Sequence, residues 1–254
     1  MKRIIILIGV VISAAAASIV FGQIGAEGVI AYEVKINMHR NLPPDRQELK
    51  DRIPEFRVMK HQLCFNNAQS LYTPVVEDEE DDADFGRGGP GGGPGGGRMR
   101  FRGPRADYYV NQANTQLLIR RELMGKYYLI EDTLKIAAWK FGKEIRSVVG
   151  YECRQAMYYD SARQQNVVAW YAPTLRPFLG PELFNTLPGA VLEVNVNDGE
   201  RVITAKNIEI RPLKKNELKV PSQGTRITQA GFKKLVDEQA ERMRGNGGTM
   251  IIRN

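Results

Sequence analysis

Few residues of this chain have the types and spacing that catalysis requires. The 254-residue sequence contains only two histidines, His39 and His61. The nucleophile pattern G-x-S-x-G, the zinc pattern H-E-x-x-H and cysteine ligand arrays are all absent from it. A carboxylate pair such as Glu182 and Glu193 could perform acid–base catalysis, but any β-rich protein contains such pairs. The sequence therefore indicates no catalytic residue and no cofactor, and a hydrolase that uses this carboxylate pair stays as an alternative.

Two cysteines, Cys64 and Cys153, stand in the strand-like runs HQLCF and YECR. In an oxidising compartment the two could form a disulfide. That bond would close a loop of about 90 residues, and the chain-entropy account values such a closure at roughly 4 to 5 kcal/mol. The alternative is a pair of buried free thiols. A thiol nucleophile would need a histidine and an acid close in space, and none is close in sequence.

A run of carboxylates at 77–84, EDEEDDAD, is the most acidic part of the chain, and FGRGGPGGGPGGGRMRFRGPR follows it at 85–105. This composition cannot bury enough apolar surface to offset the entropy of ordering the chain, so we predict a disordered insertion at 77–106. The carboxylates could hold a hard cation, but calcium loops space their ligands around a glycine, and this run does not. The weak metal-ligand candidates are Asp78, Glu79, Glu80, Asp81 and Asp82.

The first 22 residues have the pattern of a secretory signal peptide. Lys2 and Arg3 precede an apolar run from 4 to 20, and the small residue Gly22 fits a cleavage site before Gln23. An uncleaved membrane anchor is the alternative, because the apolar run is close to spanning length. We therefore expect an exported protein, located in the periplasm or associated with the outer membrane.

The formal net charge is +7, and removal of Lys2 and Arg3 leaves +5. A mildly basic envelope protein needs no nucleic acid to explain its charge, and no recognition motif for nucleic acid is present. The Gly-Arg part of the insertion resembles RNA-binding segments in composition only. A basic surface can equally face anionic lipid headgroups.

Short runs of alternating hydrophobicity dominate the rest of the mature chain, which has about 230 residues and is long enough for one large β domain. We predict a mainly β (α+β) fold. A curved antiparallel sheet or half-barrel of about ten to twelve strands would carry a C-terminal helix packed on it. The predicted strands are 29–38, 58–65, 69–75, 107–112, 116–122, 126–131, 137–141, 146–159 with a bend at Gly150, 167–171, 190–196 and 202–210.

One helix is predicted at 228–245. Thr228 suits the N-cap position and Gly245 the position after the last helical turn. Between them Phe232, Leu235 and Val236 recur at helical spacing, which requires an apolar partner surface such as the sheet. The domain boundaries that follow are 23–227 for the β-rich domain and 246–254 for a flexible tail.

The stretch NTLPGAVLEV at 185–194 joins a stiff turn to a strand. Pro188 fixes φ near −65° and Gly189 tolerates a positive φ, so Leu187-Pro188-Gly189 predicts a type II turn that feeds a buried strand. We expect Leu187 to be anchored in the core. A functional alternative is that this turn and the Gly180-Pro181 turn together shape one mouth of a ligand cavity.

Several short blocks, in this order, resemble the GLPGLI family of Bacteroidetes: VGYECRQA at 149–156, AWY at 169–171, LGP at 179–181, LPG at 187–189 and LE at 192–193. The motif that names the family reads TLPGAV here, so Thr186, Ala190 and Val191 replace its first glycine, its second leucine and its last isoleucine. The resemblance is best over 107–211. It implies an exported envelope protein without an established activity, often associated with outer-membrane transport systems, and it supplies no catalytic residues.

These observations together favour a non-enzymatic binding or accessory protein. Its ligand would be apolar or peptide-like, or its partner an outer-membrane transporter, held in a concave β face. Metal handling by the acidic run is a further alternative. The aromatic candidates to line a groove are Trp139, Trp170, Tyr171 and Phe178, and ordinary core packing is the competing interpretation for all four.

Overall fold

The computed structural model of the protein describes residues 27–42, 44–75 and 105–245. The predicted signal peptide and tail lie outside these ranges. So does the predicted insertion, except that Arg105 is described and Ala106 already begins a strand. The twelve strands are β1 Gly28–Asn37, β2 Phe56–Phe65, β3 Gln69–Pro74, β4 Ala106–Asn111, β5 Gln116–Leu123, β6 Lys126–Thr133, β7 Lys140–Val148, β8 Tyr151–Asp160, β9 Gln165–Ala172, β10 Ala190–Val196, β11 Arg201–Ile210 and β12 Thr225–Thr228.

All twelve strands belong to one open sheet in the order β12-β6-β5-β4-β3-β2-β1-β11-β10-β9-β8-β7. Neighbouring strands are consecutive in sequence except for the pairs β1–β11 and β12–β6, and the chain passes from β6 near one edge to β7 at the other. The β12–β6 pairing is parallel, and the others among the described strands are antiparallel. The predicted fold class is confirmed, and the short parallel strand before the helix is the element that the sequence patterns did not indicate.

One apolar cluster spans almost the whole sheet. It contains Ile30 of β1, Ile130 of β6 and Ala156 of β8, each with 1% or less of its surface exposed. Because these strands lie far apart in the sheet order, the sheet must curve to bring them around a single core. We call the surface that carries this cluster the main face. A smaller cluster of Leu71, Tyr109, Leu118 and Leu129 lies apart from it.

Two segments cover the main face. The loop between β9 and β10, residues 173–189, contributes Leu179 and Leu187, which are almost completely buried. The helix α1, Gln229–Gly245, contributes Phe232 and Val236. Its start is capped as predicted, since the Thr228 hydroxyl accepts a hydrogen bond of 3.1 Å from the Gly231 N–H. No helix within the described ranges is both long and apolar enough to cross a bilayer.

The structure corrects the predicted strands between 137 and 159. The turn lies at Val149-Gly150, where both residues have positive φ, so the predicted long strand is in fact the junction of β7 and β8. The break between the predicted strands 137–141 and 146–159, at Gly142-Lys143, is not a turn. It belongs to an irregular stretch of β7 in which the pairing shifts between Phe141 and Ile145. A bulge and a turn both favour glycine, and only the pairing partner distinguishes them.

Candidate functional site

The β9–β10 loop lies over the main face and begins and ends at the same rim of the sheet, since Ala172 pairs with Ala190. It leaves β9 at Ala172, and Leu179 forms an isolated bridge with Ala190, which fixes its middle. Backbone hydrogen bonds from Val191 N–H to the Leu179 carbonyl (2.8 Å) and from Phe178 N–H to the Leu187 carbonyl (2.9 Å) hold it further. The loop is therefore part of the packed core and not a free connection.

Gly189 serves this loop in a different way from the one predicted. Its φ is not positive, so the type II turn expected at Pro188-Gly189 is wrong. A Cβ at Gly189 would instead lie 2.7 Å from the carbonyl carbon of Ala172 and 2.9 Å from the Cα of Pro173. The glycine is required because two backbone segments approach each other closely. Leu187 is completely buried, as expected.

Arg176 stands where this loop meets the rim formed by the start of β3 and the end of β4. Its guanidinium donates to the Gln112 Oε1 (2.8 Å) and more weakly to the Gln69 carbonyl (3.4 Å). Both partners are neutral, and Arg176 makes no ion pair with any carboxylate of the described residues. Burial lowers the pKa of this guanidinium to about 10. The side chain is only half buried, so its remaining N–H donors can be reached from solvent.

Phe178 lies two residues after Arg176, and the side chain of Gln112 holds both residues. Its carbonyl accepts a hydrogen bond from the Gln112 Nε2, so one amide joins the backbone of Phe178 to the guanidinium of Arg176. Phe178 has φ of 54°, an expensive conformation for a bulky residue, yet 43% of its surface is exposed. The fold thus places an arginine and the fixed backbone of a partly exposed phenylalanine at one rim. We call Arg176, Phe178 and Gln112 the rim site.

A second polar group lies under the loop at the opposite rim. Glu182 of the loop forms a largely buried ion pair with Arg201, the first residue of β11. Burial alone would lower the pKa of Arg201. The charge of the Glu182 carboxylate and its hydrogen bond to Arg201 outweigh the effect of burial, so the pKa of Arg201 is raised. Because Glu182 belongs to the loop and Arg201 to the sheet, the pair ties the two together.

The Glu182–Arg201 pair belongs to a larger group of polar side chains inside the protein, which we call the interior polar cluster. Its members are His61, Tyr72, Tyr108, Arg121, Glu182 and Arg201. The imidazole of His61 stacks on Tyr72 at 5.0 Å, and the Arg121 Nη2 donates to the Tyr108 hydroxyl at 2.9 Å. The Tyr72 hydroxyl and the His61 Nδ1 are buried without a hydrogen-bond partner. Burial raises the pKa of Tyr72 and lowers that of His61 to about 4.

The four predicted groove residues do not line one groove. Trp139 is half buried, donates to the Thr186 hydroxyl (3.0 Å) and meets Tyr158 edge-on. Trp170 lies under the Arg146 guanidinium, 3.9 Å from it, and is buried. Tyr171 follows Trp170 in β9, so the two side chains point to opposite faces of the sheet. Of the four, Phe178 alone is exposed, and it lies two residues after Arg176 in the loop.

The predicted carboxylate pair does not form either. Glu182 is bound to Arg201, and Glu193 is bound to Arg146 on a different strand. Each carboxylate is therefore paired with its own arginine, and the two do not act as a pair. Within the described ranges, no group of three or more metal-ligand side chains converges. The acidic run at 77–84 lies outside those ranges.

Both cysteines are buried free thiols. Cys64 pairs in register with Leu71 of the smaller cluster, whereas Cys153 belongs to the main cluster. Of the two alternatives drawn from the sequence, the structure has the free thiols and not the disulfide. Burial raises the pKa of each to about 11, so neither is activated as a nucleophile.

Two small cavities open elsewhere on the described surface. One of about 250 Å³ lies between α1 and the β5–β6 turn, lined by Leu123, Met124, Lys126, Tyr128, Leu235 and Gln239. The other, of about 90 Å³, surrounds the ion pair of Asp107 and Arg120. Neither cavity includes a residue of the rim site.

The sequence patterns indicated Phe178 but not the other two residues of the rim site, Arg176 and Gln112. Nothing in the local sequence marks an arginine that lacks an acidic partner in the folded protein.

Comparison with known proteins supports the fold class and indicates no function. No family model matches the chain, and no curated protein matches it. Among solved structures, the chain resembles PNGF-II in a P21 crystal form, with 14% identity and a TM-score of 0.54, covering 85% of this chain and 34% of that one. The C2 form of PNGF-II gives the same identity and TM-score over 84% and 33%. This chain therefore spans about a third of the length of PNGF-II, and at this identity the likeness shows the β-rich fold alone.

Proposed function

We propose that this protein is a non-enzymatic binding or accessory protein of the cell envelope, and that it takes a peptide-like ligand by a carboxylate at the rim site. Export, a location in the periplasm or at the outer membrane, and the resemblance to the GLPGLI family are parts of the same proposal. An outer-membrane transport system is the kind of partner that this resemblance suggests.

The supporting observation is the half-buried Arg176 guanidinium, which has no carboxylate partner in the described residues. A buried or half-buried arginine is normally compensated by an acid, as Arg201 and Arg211 are here. A ligand carboxylate would supply that compensation through charge-assisted hydrogen bonds, which are about twice as strong as neutral ones. Gln112 limits the motion of the guanidinium, so little side-chain entropy is lost on binding.

Phe178 supports a ligand with an apolar group next to its carboxylate. The ring is 43% exposed and its backbone is fixed at both N–H and carbonyl. Arginine is enriched at binding hot spots, as are the large aromatic residues tryptophan and tyrosine, and an exposed phenylalanine offers a comparable apolar contact. The carboxyl end of a peptide chain with an apolar last residue matches both features.

Retention of two peptide pools on the immobilised protein tests this proposal. The pools contain random hexapeptides that end in phenylalanine, one with a free carboxyl end and one amidated. We expect selective retention of the free acids, and a loss of about tenfold to a hundredfold in affinity for R176Q, which removes the charge but keeps a hydrogen-bonding amide. The control R163Q changes an arginine that already pairs with Asp160 and should bind like the parent.

Equal retention of the free and amidated pools would refute the carboxylate site. Selective retention that is equal in R176Q and the parent protein would place the site elsewhere.

A further inference from the structure

The cavity of about 250 Å³ between α1 and the β5–β6 turn, which we call the helix cavity, has mainly apolar walls. Leu123, Met124 and Tyr128 contribute from the hairpin and Leu235 from the helix. Leu123 and Tyr128 also pack against the main cluster, so this cavity borders the core. An engineered apolar cavity of about 150 Å³ is large enough to hold benzene, so the helix cavity has room for an aliphatic side chain.

The residues around the helix cavity remain partly open to solvent. Met124, at the tip of the β5–β6 turn, is 58% exposed, and Leu235 is only half buried. The hairpin is closed by the pairing of Leu123 with Lys126, so the position of Met124 is fixed by the sheet. Exposed apolar side chains beside an apolar cavity indicate a surface that binds a further apolar group.

The course of α1 brings the following chain close to this cavity. Phe232 meets Tyr128 edge-on at 5.7 Å near the start of the helix, and Gln239 is the last residue of α1 in the cavity wall. The helix continues to Gly245, which is about 9 Å further along its axis. The chain therefore leaves the helix only a short distance beyond the helix cavity.

Residues 246–254 follow the helix with the sequence NGGTMIIRN and lie outside the described ranges. Asn246-Gly247-Gly248 has the composition of a turn that reverses the chain. Met250-Ile251-Ile252 is an uninterrupted apolar run. The five residues from Gly245 to Met250 can span up to about 17 Å, which exceeds the return distance of about 9 Å to the level of Gln239.

We propose that Met250-Ile251-Ile252 folds back and occupies the helix cavity of the same chain. The run and the cavity walls are both apolar, and the short connection holds the run at an effective concentration of about millimolar or more. An apolar group from solution would have to compete with that concentration. Burial of an aliphatic side chain should favour the docked form over the open form by about tenfold to a hundredfold.

Disulfide trapping tests the position of the run. Mild oxidation should link M124C to I251C within one chain, which the mass of the linked peptides identifies. The control pair is K234C with I251C, because Lys234 adjoins Leu235 but has an 80% exposed side chain. A docked run should link the control pair about tenfold more slowly. The native thiols are buried and do not compete. Equal rates for the two pairs would overturn the proposal, and links between chains would assign the cavity to the run of a second copy.

Thiol labelling tests whether the run covers the hairpin. The single variant M124C should react with a maleimide about tenfold faster after deletion of 249–254, since the docked run shields the turn. I251S/I252S, which keeps the chain length, should have the same effect as the deletion, and R253S should not. V58C is the matched control, because Val58 is 52% exposed on a distant strand and should react equally with and without the run. Cys64 and Cys153 stay unlabelled while the fold is intact. Equal labelling of M124C in the full and shortened chains would overturn the proposal.

Discussion

Replacing His61 with phenylalanine should remove a defined part of the acid sensitivity of this protein. The imidazole stacks on Tyr72 and its Nδ1 is buried without a partner, so the charged form is poorly accommodated. Burial is the largest cause that lowers the pKa of His61 from 6.5 to about 4. Glu182 and Asp107 oppose this shift, and Arg201 adds to it.

The sign of the effect follows from this lowered pKa. The unfolded chain binds the His61 proton below about pH 6.5 and the folded protein only below about pH 4. Stability from this residue is therefore fully present above pH 6.5 and is lost as the pH falls toward 4. Between pH 7.5 and pH 4.5 the parent should lose about 2–3 kcal/mol of its free energy of unfolding from His61 alone.

The H61F variant isolates this contribution, because phenylalanine keeps a flat ring against Tyr72 and does not titrate. Urea unfolding, followed by the fluorescence of Trp139 and Trp170, gives the free energy of unfolding of both proteins at each pH. The carboxylates titrate equally in both, so the difference between the two proteins reports His61. A difference that does not change between pH 7.5 and 4.5 would show that His61 is not held neutral by burial.

Three further predictions concern the loop and the thiols. E182Q should lower the free energy of unfolding by about 3–5 kcal/mol because it leaves the largely buried Arg201 without a counter-charge, and a loss below about 1 kcal/mol would show that the pair is effectively solvated. G189A should destabilise the protein by about 1–3 kcal/mol in urea unfolding, because its methyl group would meet the backbone of β9, and an unchanged midpoint would contradict that close approach. Cys64 and Cys153 should react with a disulfide reagent at pH 8 only after urea is added, since burial raises the pKa of both to about 11, and rapid reaction in the folded protein would contradict their burial.

Local patterns were sufficient for most of the strands. The alternation at 190–196 and 202–210 predicted β10 and β11, and Asp198-Gly199 marks the tight turn that joins them. The same signals misled at 137–159, where Gly142 lies in an irregular strand and Gly150 in a turn. Both positions favour glycine for steric reasons, so residue type alone could not separate them.

The sequence by itself determined the class of the fold, since the period of hydrophobic residues and the caps and turns of each element depend on neighbours along the chain. It also placed Leu187 in the core and Thr228 at the start of the helix. Only the tertiary structure decided which charges are compensated. Glu182 meets Arg201 and Gln112 meets Arg176 across connections that no local pattern encodes. Burial and charge pairing are properties of atoms brought together by the whole sheet, so the rim site and the helix cavity appear only when the chain is folded.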